Sequence, residues 1–343
     1  MSVRILQGDA RDVLKTLPSE SVNCIVSSPP YWRQRDYGVA GQLGLESTPE
    51  EYIDNLVSIF SECRRVLRAD GVAWVNLGDK WASGGNGGGG SFMKERSDAW
   101  AHVKANKGWR SPPNGYKDKD LVGVPWMFAF AARAEGWFLR QCNIWAKPNC
   151  MPESVTDRST ASHEYVFQLT KSNDYWYDHQ AARTPAAPSS ETRLAQNVEA
   201  QAGSLRANGG GKTNGPMKAV QRTDKQRGHS RRHNGFNARW DAMPVAEQRA
   251  MGANLRSVWW ISPANEREDH YAVMPDTLAE ICIVAGCPAG GTVLDPFGGA
   301  GTTGLAADRL GRDAILIELN PDYVAMAERR MRSTTPALPG IAA

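Results

Sequence analysis

Thr292-Val293-Leu294-Asp295-Pro296-Phe297-Gly298-Gly299-Ala300-Gly301-Thr302-Thr303-Gly304 decides the fold. Its first four residues read as a short strand, and helical spacing resumes over Thr302 to Leu310. Between them, glycines let the backbone turn tightly and approach a ligand, while the N–H groups opening the helix point at it. The same alternation continues outward. A helix over Asp276 to Ala285 precedes the strand, and a strand over Asp313 to Glu318 and a helix over Pro321 to Met331 follow. Strands alternating with helices predict an α/β fold with a mainly parallel sheet flanked by helices.

Three ligands use such a turn. A P-loop ends in Gly-Lys-Ser/Thr, and no lysine is present here. A nicotinamide dinucleotide is the stronger competitor, because Glu318 closes the next strand where a ribose-binding acid belongs. Asp295 separates the remaining two: a carboxylate at the end of the first strand repels a pyrophosphate and suits the ammonium group of a methionine moiety. Asp295 and Glu318 together fit S-adenosylmethionine.

The other half of the chain carries a second motif. Val3 to Leu6 reads as a strand, Asp12 to Leu17 as a brief helix, and Val22 to Val26 as a buried strand. That strand ends in Ser27-Ser28-Pro29-Pro30-Tyr31-Trp32, where two prolines cannot continue a ladder. Thr48-Pro49-Glu50-Glu51 opens a helix with an N-cap, a first-turn proline and a capping-box glutamate, and its apolar spacing holds as far as Asp70-Gly71. Val72 to Leu77 is the next strand, and 82–120 reads as a mobile loop. A helix over Pro125 to Ala134, strands over Phe138 to Trp145 and Glu164 to Thr170, and a return of order at Val258 to Ile261 complete the pattern.

In an open α/β sheet ligands collect at the carboxyl ends of strands, so both motifs face one crevice in the expected fold. An exocyclic amine on a base is a poor nucleophile, because its lone pair is delocalised into the ring. Acceptors for both amino hydrogens localise that pair. The Ser28 hydroxyl and the Pro29 carbonyl are such acceptors, the Pro29-Pro30 unit fixes their directions, and Tyr31 offers a face on which an extruded base stacks. Carbon-5 methylation of cytosine needs a cysteine nucleophile, commonly in a Pro-Cys pair, and the sequence has none.

Composition sets the outer bounds. A hydrophobic content of 41% and a charged content of 22% belong to an ordinary globular chain and argue against disorder along its length. No run approaches the roughly 18 apolar residues of a membrane span, and the N-terminus lacks a signal pattern, so a cytoplasmic location is the expectation. The six cysteines form no C-x-x-C pair, so neither a metal site nor a disulfide framework is expected. Charge is uneven. Arg183 to Arg256 holds 13 Lys and Arg against 5 Asp and Glu, a balance of +8, which leaves −5 for the remainder of a chain whose net charge is +3. A basic segment in a mildly acidic body suits a polyanion; a solvated insertion explains the charge equally well.

Together these motifs resemble the S-adenosylmethionine-dependent DNA amino-methyltransferases, and their order is similar to the β class, in which the catalytic motif precedes the cofactor motif. The resemblance covers most of the chain outside 82–117 and 181–257. It implies a Rossmann-like methyltransferase fold with an inserted DNA-recognition region. It implies that Asp295, Phe297, Gly299, Gly301 and Thr302 form the cofactor loop, that Glu318 holds the ribose, and that Asp9 contacts the adenine amino group. The segment containing Met274 and Pro275 closes over the methionine end. Trp145 to Asn149, continuing to Asp157-Arg158 and His163-Glu164, resembles the segment flanking the target base, with Lys147 and Arg158 as candidate phosphate contacts beside Arg231 and Arg232 of the basic insert. Members with Ser where Ser28 stands mostly methylate cytosine N4, and those with Asp mostly adenine N6.

The expected organisation is a catalytic part over 1–180, a recognition insert over 181–257, a cofactor part over 258–335 and a tail over 336–343. The expected activity is transfer of a methyl group to cytosine N4 in DNA, duplex with an extruded base or single-stranded, by a protein that the resemblance suggests forms a homodimer. Adenine N6 methylation is the alternative within the family. A nicotinamide-dependent oxidoreductase leaves Ser28 to Tyr31 and the basic insert without a role, and a nucleic-acid-binding module without catalysis leaves Asp295, Ser28 and Tyr31 without one.

Overall fold

The computed structural model describes residues 2–82, 115–184, 252–263 and 274–334. Met1–Asp178 with Arg256–Ala343 form one compact unit and His179–Leu255 a second. Of the second, the two described ends meet in an antiparallel bridge between Thr184 and Ala253. Arg231 and Arg232, most of the 82–120 loop and the 336–343 tail lie outside the described residues.

In the first unit the strands are β1 (Val3–Gln7), β2 (Val22–Ser27), β3 (Leu67–Leu77), β4 (Trp81–Ala82), β5 (Asp120–Leu121), β6 (Phe138–Ala146), β7 (His163–Thr170), β8 (Val258–Trp260), β9 (Thr292–Asp295) and β10 (Asp313–Glu318). The helices are α1 (Ala10–Thr16), α2 (Pro49–Val66), α3 (Val124–Ala134), α4 (Asp276–Gly286), α5 (Thr302–Arg309) and α6 (Pro321–Thr334). Eight strands form one sheet in the order β1-β10-β9-β2-β3-β7-β6-β8. All run the same way except β7, β6 and β8 being parallel to each other and β7 antiparallel to both β3 and β6. This is the mainly parallel sheet that the alternating pattern implied.

Local chemistry explains the elements. Thr48 accepts a hydrogen bond from the Glu51 N–H, while the Glu51 carboxylate reaches back to the N–H of Ser47, one residue before the expected capping-box partner. Tyr52, Leu56, Ile59, Phe60 and Cys63 then bury one face of α2, and Phe60 meets Phe128 of α3 edge-on at 5.1 Å. The helix ends at Val66, short of the expected Asp70. Leu67 keeps the helical apolar spacing, but it pairs with Val22 and opens β3 five residues earlier than the expected Val72. A register shift between Val22 and Cys24 absorbs the intervening residues.

Helix α3 is capped from a distance. The Asp79 carboxylate, just past β3, accepts from the N–H groups of Gly123 and Val124. Beside it, β4 and β5 pair Trp81 with Leu121 and Ala82 with Asp120, joining the two ends of the 82–120 segment.

One consequence positions everything that follows. Because Cys24 pairs with Val293 and Ile25 with Leu294, β2 and β9 are parallel neighbours and their carboxyl ends emerge side by side. Along that edge of the sheet the strand tips present Asp9, Glu318, Asp295, Ser28 and Asn76 in spatial order.

Candidate active site

Asp295 sits at the centre of this edge and is only 3% exposed. Its Oδ1 accepts from the Ser27 hydroxyl at 2.7 Å and the Phe297 N–H at 3.0 Å, and its Oδ2 accepts from the Thr303 hydroxyl at 2.7 Å. The Ser27 bond ties the two motifs directly, across 268 residues of sequence. Burial pushes the Asp295 carboxyl above the usual carboxylate range, against the pull of these donors. A cation placed beside this buried carboxyl would favour its ionised form.

Glu318 ends the adjacent strand. Its Oε2 accepts from the Gly299 N–H at 2.8 Å and its Oε1 from the Asn320 N–H at 2.7 Å. Each oxygen keeps one lone pair, so the pair presents two acceptors at the spacing of a vicinal diol. Burial raises its carboxyl as well. Gly299 (φ +50°) and Gly301 (φ +85°) take left-handed conformations that bend the turn around this carboxylate, and Gly301 opens α5.

Asp9 closes β1. It N-caps α1 by accepting from the Arg11 N–H and also holds the Arg11 guanidinium, which keeps its carboxyl below the usual range. Arg11 in turn donates to the Gly41 carbonyl at 2.9 Å. That bond anchors a segment between Arg33 and Ser47 whose Tyr37, Val39 and Leu43 wall the site, with Tyr37 edge-on to Tyr323 of α6 at 6.1 Å.

These groups border a cleft, open at its mouth and lined by Asp9, Ser28, Pro30, Met274, Asp295, Phe297, Gly299, Thr302 and Glu318 among others. Pro29, Tyr31, Gly301 and Pro275 are not on its walls. Pro275 N-caps α4, and Gly301 packs against Ala327 and Met331.

Next to the cleft lies the Ser28–Tyr31 turn. The Pro30 carbonyl accepts from the Tyr52 hydroxyl at 2.9 Å, which pins the diproline to α2. Tyr31 points its hydroxyl at Glu164 of β7, 2.5 Å away. The Asn76 amide, on β3, donates to the Tyr31 hydroxyl at 2.7 Å and to the same Glu164 oxygen at 2.8 Å, and it lies 3.4 Å from the Ser28 hydroxyl. Lys147 pairs with the other Glu164 oxygen and lies over the Trp145 ring. Burial first, and the Glu164 charge second, push the Tyr31 hydroxyl well above its ordinary range, so it stays protonated.

Arg158 pairs with Glu153 and stacks over Trp81 at 3.4 Å. Lys147 and Arg158 thus both hold ion pairs within the protein. Asn76 was missed by the sequence reading; the signal available was one polar residue near the end of an otherwise apolar strand. Glu164 stands out in sequence only within the stretch that begins at Trp145, and the 33–47 wall has no periodicity.

The N6_N4_Mtase family model, described as DNA methylase, matches residues 22–329. Type II methyltransferase M.SmaI of Serratia marcescens is 37% identical over 335 residues, covering 96% of this chain and 91% of that protein. Type II methyltransferase M.Cfr9I of Citrobacter freundii is 38% identical, covering 96% and 87%. Among solved structures, the PvuII DNA methyltransferase (cytosine-N4-specific) superposes with a TM-score of 0.59 at 18% identity, covering 98% of this chain and 89% of that one. A DNA modification methylase of Thermus thermophilus complexed with S-adenosyl-L-methionine gives 0.53 at 21% identity, covering 98% and 96%. At these identities the structural likenesses bear on the fold.

Proposed function

The chain belongs to this family of DNA methylases, and from that premise we propose that it transfers a methyl group from S-adenosylmethionine to the exocyclic N4 amine of cytosine in DNA. Relatives named Type II methyltransferases match along nearly its whole length, which supports a site-specific enzyme of a restriction–modification system. The observation that carries the reading is the Ser27–Asp295 hydrogen bond of 2.7 Å, because it joins the catalytic and cofactor strand tips at one cleft.

The cleft suits the cofactor. A Cβ on Gly298 would lie 2.8 Å from the Leu316 Cβ, so the turn lies close against the sheet beside the open mouth of the cleft. Glu318 holds the ribose hydroxyls on its two remaining lone pairs. Asp295 faces the cationic methionine end, Asp9 the adenine, and Phe297, Gly299 and Thr302 the length between, with Met274 over the methionine side. When bound, S-adenosylmethionine supplies an electrophilic methyl group on a positively charged sulfur.

The protein's part at the base is to orient and to localise charge. Ser28 accepts a hydrogen from the target amine and the Pro29 carbonyl the other, which frees the nitrogen lone pair for in-line attack. Tyr31 gives the extruded base a surface to stack on. Ser28 in the first motif position supports N4 of cytosine over N6 of adenine. The basic 181–257 segment, rich in Lys and Arg, binds the DNA backbone.

Incubating the protein with methyl-labelled S-adenosylmethionine and DNA from a methylation-deficient host, then analysing nucleosides by mass spectrometry, tests the reading. N4-methylcytosine is expected. N6-methyladenine alone overturns the choice of base, and no labelled nucleoside overturns the activity.

A further inference from the structure

The part of the sheet beyond β3, placed by sequence only as flanking the target base, joins Asn76 of β3 in a polar cluster beside the catalytic turn. Glu164 stands on β7, Lys147 follows β6, and the register brings them together: Trp145 pairs with Glu164, Ala146 with His163, and the Lys147 N–H donates to the Ser162 carbonyl. Asn76 comes from β3, opposite Val166. Two strands, β3 and β7, therefore converge on one atom of the catalytic motif, the hydroxyl of Tyr31, and Lys147 reaches it only through Glu164.

The ring of Tyr31 needs such an anchor. Its edge lies against Gly78, where an added Cβ would come within 2.8 Å of the Tyr31 Cε2. Bare backbone on that side lets the ring sit close, and the ring also packs against the core. The hydroxyl is the handle, and Glu164 grips it.

The cluster is not arranged for stability alone. Glu164 is an acceptor, which fixes the Asn76 amide with its NH₂ toward Glu164 and Tyr31. That orientation leaves the Asn76 Oδ1 buried without a hydrogen-bond partner. Buried unpartnered acceptors are rare in native proteins because each carries a desolvation penalty. Here the residue's donor atoms serve Tyr31 and Glu164 at the expense of its own carbonyl.

We propose that Glu164 is a positioning residue for methyl transfer: supported by Lys147 and Asn76, it fixes the Tyr31 hydroxyl and with it the plane of the ring on which the extruded base stacks. Lys147 neutralises the Glu164 charge at a site where both side chains are mostly buried. The inference rests on the reading of Tyr31 as the stacking surface.

The test is a double-mutant cycle with Tyr31→Phe and Glu164→Gln, read as kcat, KM for DNA from a methylation-deficient host, and affinity for S-adenosylmethionine. Phenylalanine keeps the ring and removes the handle. Glutamine keeps an acceptor for the hydroxyl and loses the charge. Each single change is expected to lower kcat about 10-fold, the scale of one charge-assisted hydrogen bond, with cofactor affinity within about twofold of the unmodified protein. The double variant is expected to be no slower than Tyr31→Phe alone, since both changes act through one hydroxyl. Multiplicative losses overturn the inference, as does an unchanged kcat in Glu164→Gln, or a loss of cofactor affinity parallel to kcat. Tyr31→Ala separates the two levels. Full activity in Tyr31→Ala removes the stacking reading itself, whereas loss there with fully active Glu164→Gln removes only the role of Glu164.

Discussion

Replacing Asp295 in two ways separates its structural from its binding role. Alanine strands three donors: the hydroxyls of Ser27 and Thr303, both 1% exposed, and the Phe297 N–H. A buried donor left without a partner costs about 1–3 kcal/mol, and the two hydroxyls rotate toward other acceptors, so the sum is about 3–5 kcal/mol. For a domain of this size that lowers Tm by about 5–9 °C. Asparagine is nearly isosteric. Its Oδ1 keeps Ser27 and Phe297, and the Thr303 hydroxyl turns to accept from the new NH₂, so Tm shifts by about 3 °C or less. What asparagine removes is the charge. Asp295→Asn is therefore expected to weaken S-adenosylmethionine binding about 10- to 100-fold while the fold stays intact. Differential scanning calorimetry gives the first quantity and isothermal titration calorimetry the second. Unchanged affinity in a well-folded Asp295→Asn protein refutes the reasoning, for it reduces Asp295 to a pin between β2 and the turn.

Ser28→Ala is expected to lower kcat about 10- to 100-fold with cofactor affinity unchanged, since one acceptor for the target amine is lost; matched loss of both in single-turnover and binding assays contradicts the division of roles. Burial raises the Asp295 and Glu318 carboxyls, so their stabilising contribution to the free protein is full at low pH and lost as pH rises through their folded values. A cationic ligand needs the ionised forms. Cofactor affinity therefore falls as pH drops through those same values, above the range of an exposed Asp or Glu, and binding releases protons there, visible in calorimetry across buffers of different ionisation enthalpy. In the basic segment, Arg231→Ala with Arg232→Ala is expected to reduce the slope of log K for DNA against log salt by about 2, the value for two phosphate contacts; an unchanged slope removes both from the interface.

The local features of the fold were legible because local rules govern them. Thr48 and Pro49 announce α2, the glycine turn announces α5, and the apolar runs of β2, β9 and β10 announce buried parallel strands. The start of β3 was not legible, because Leu67 satisfies a helical period and a strand pairing alike and only its partner Val22 decides between them. Sheet order is likewise a matter of distant pairing. That β2 lies beside β9 follows from Cys24 meeting Val293, which no window of sequence contains. The cofactor acids were readable from their positions at strand ends, since a carboxylate beside a glycine turn has a chemical meaning by itself. The Tyr31 network was not. Asn76, Glu164 and Lys147 each look like an ordinary polar residue until the sheet brings the first two to one hydroxyl and the third to Glu164. The wall formed by Tyr37, Val39 and Leu43 follows no period, and it is held by contacts such as Arg11 with Gly41 that depend on the folded chain.

A crystal structure of the protein with S-adenosylhomocysteine and a DNA duplex carrying its target base bears most directly on the shared cleft. The ribose hydroxyls are expected on Glu318, the cofactor's amino group on the Asp295 side, and the sulfur facing an extruded cytosine whose N4 lies within hydrogen-bond reach of Ser28. A cofactor bound elsewhere, or a sulfur turned away from Ser28 with the base on another edge of the sheet, contradicts the shared cleft.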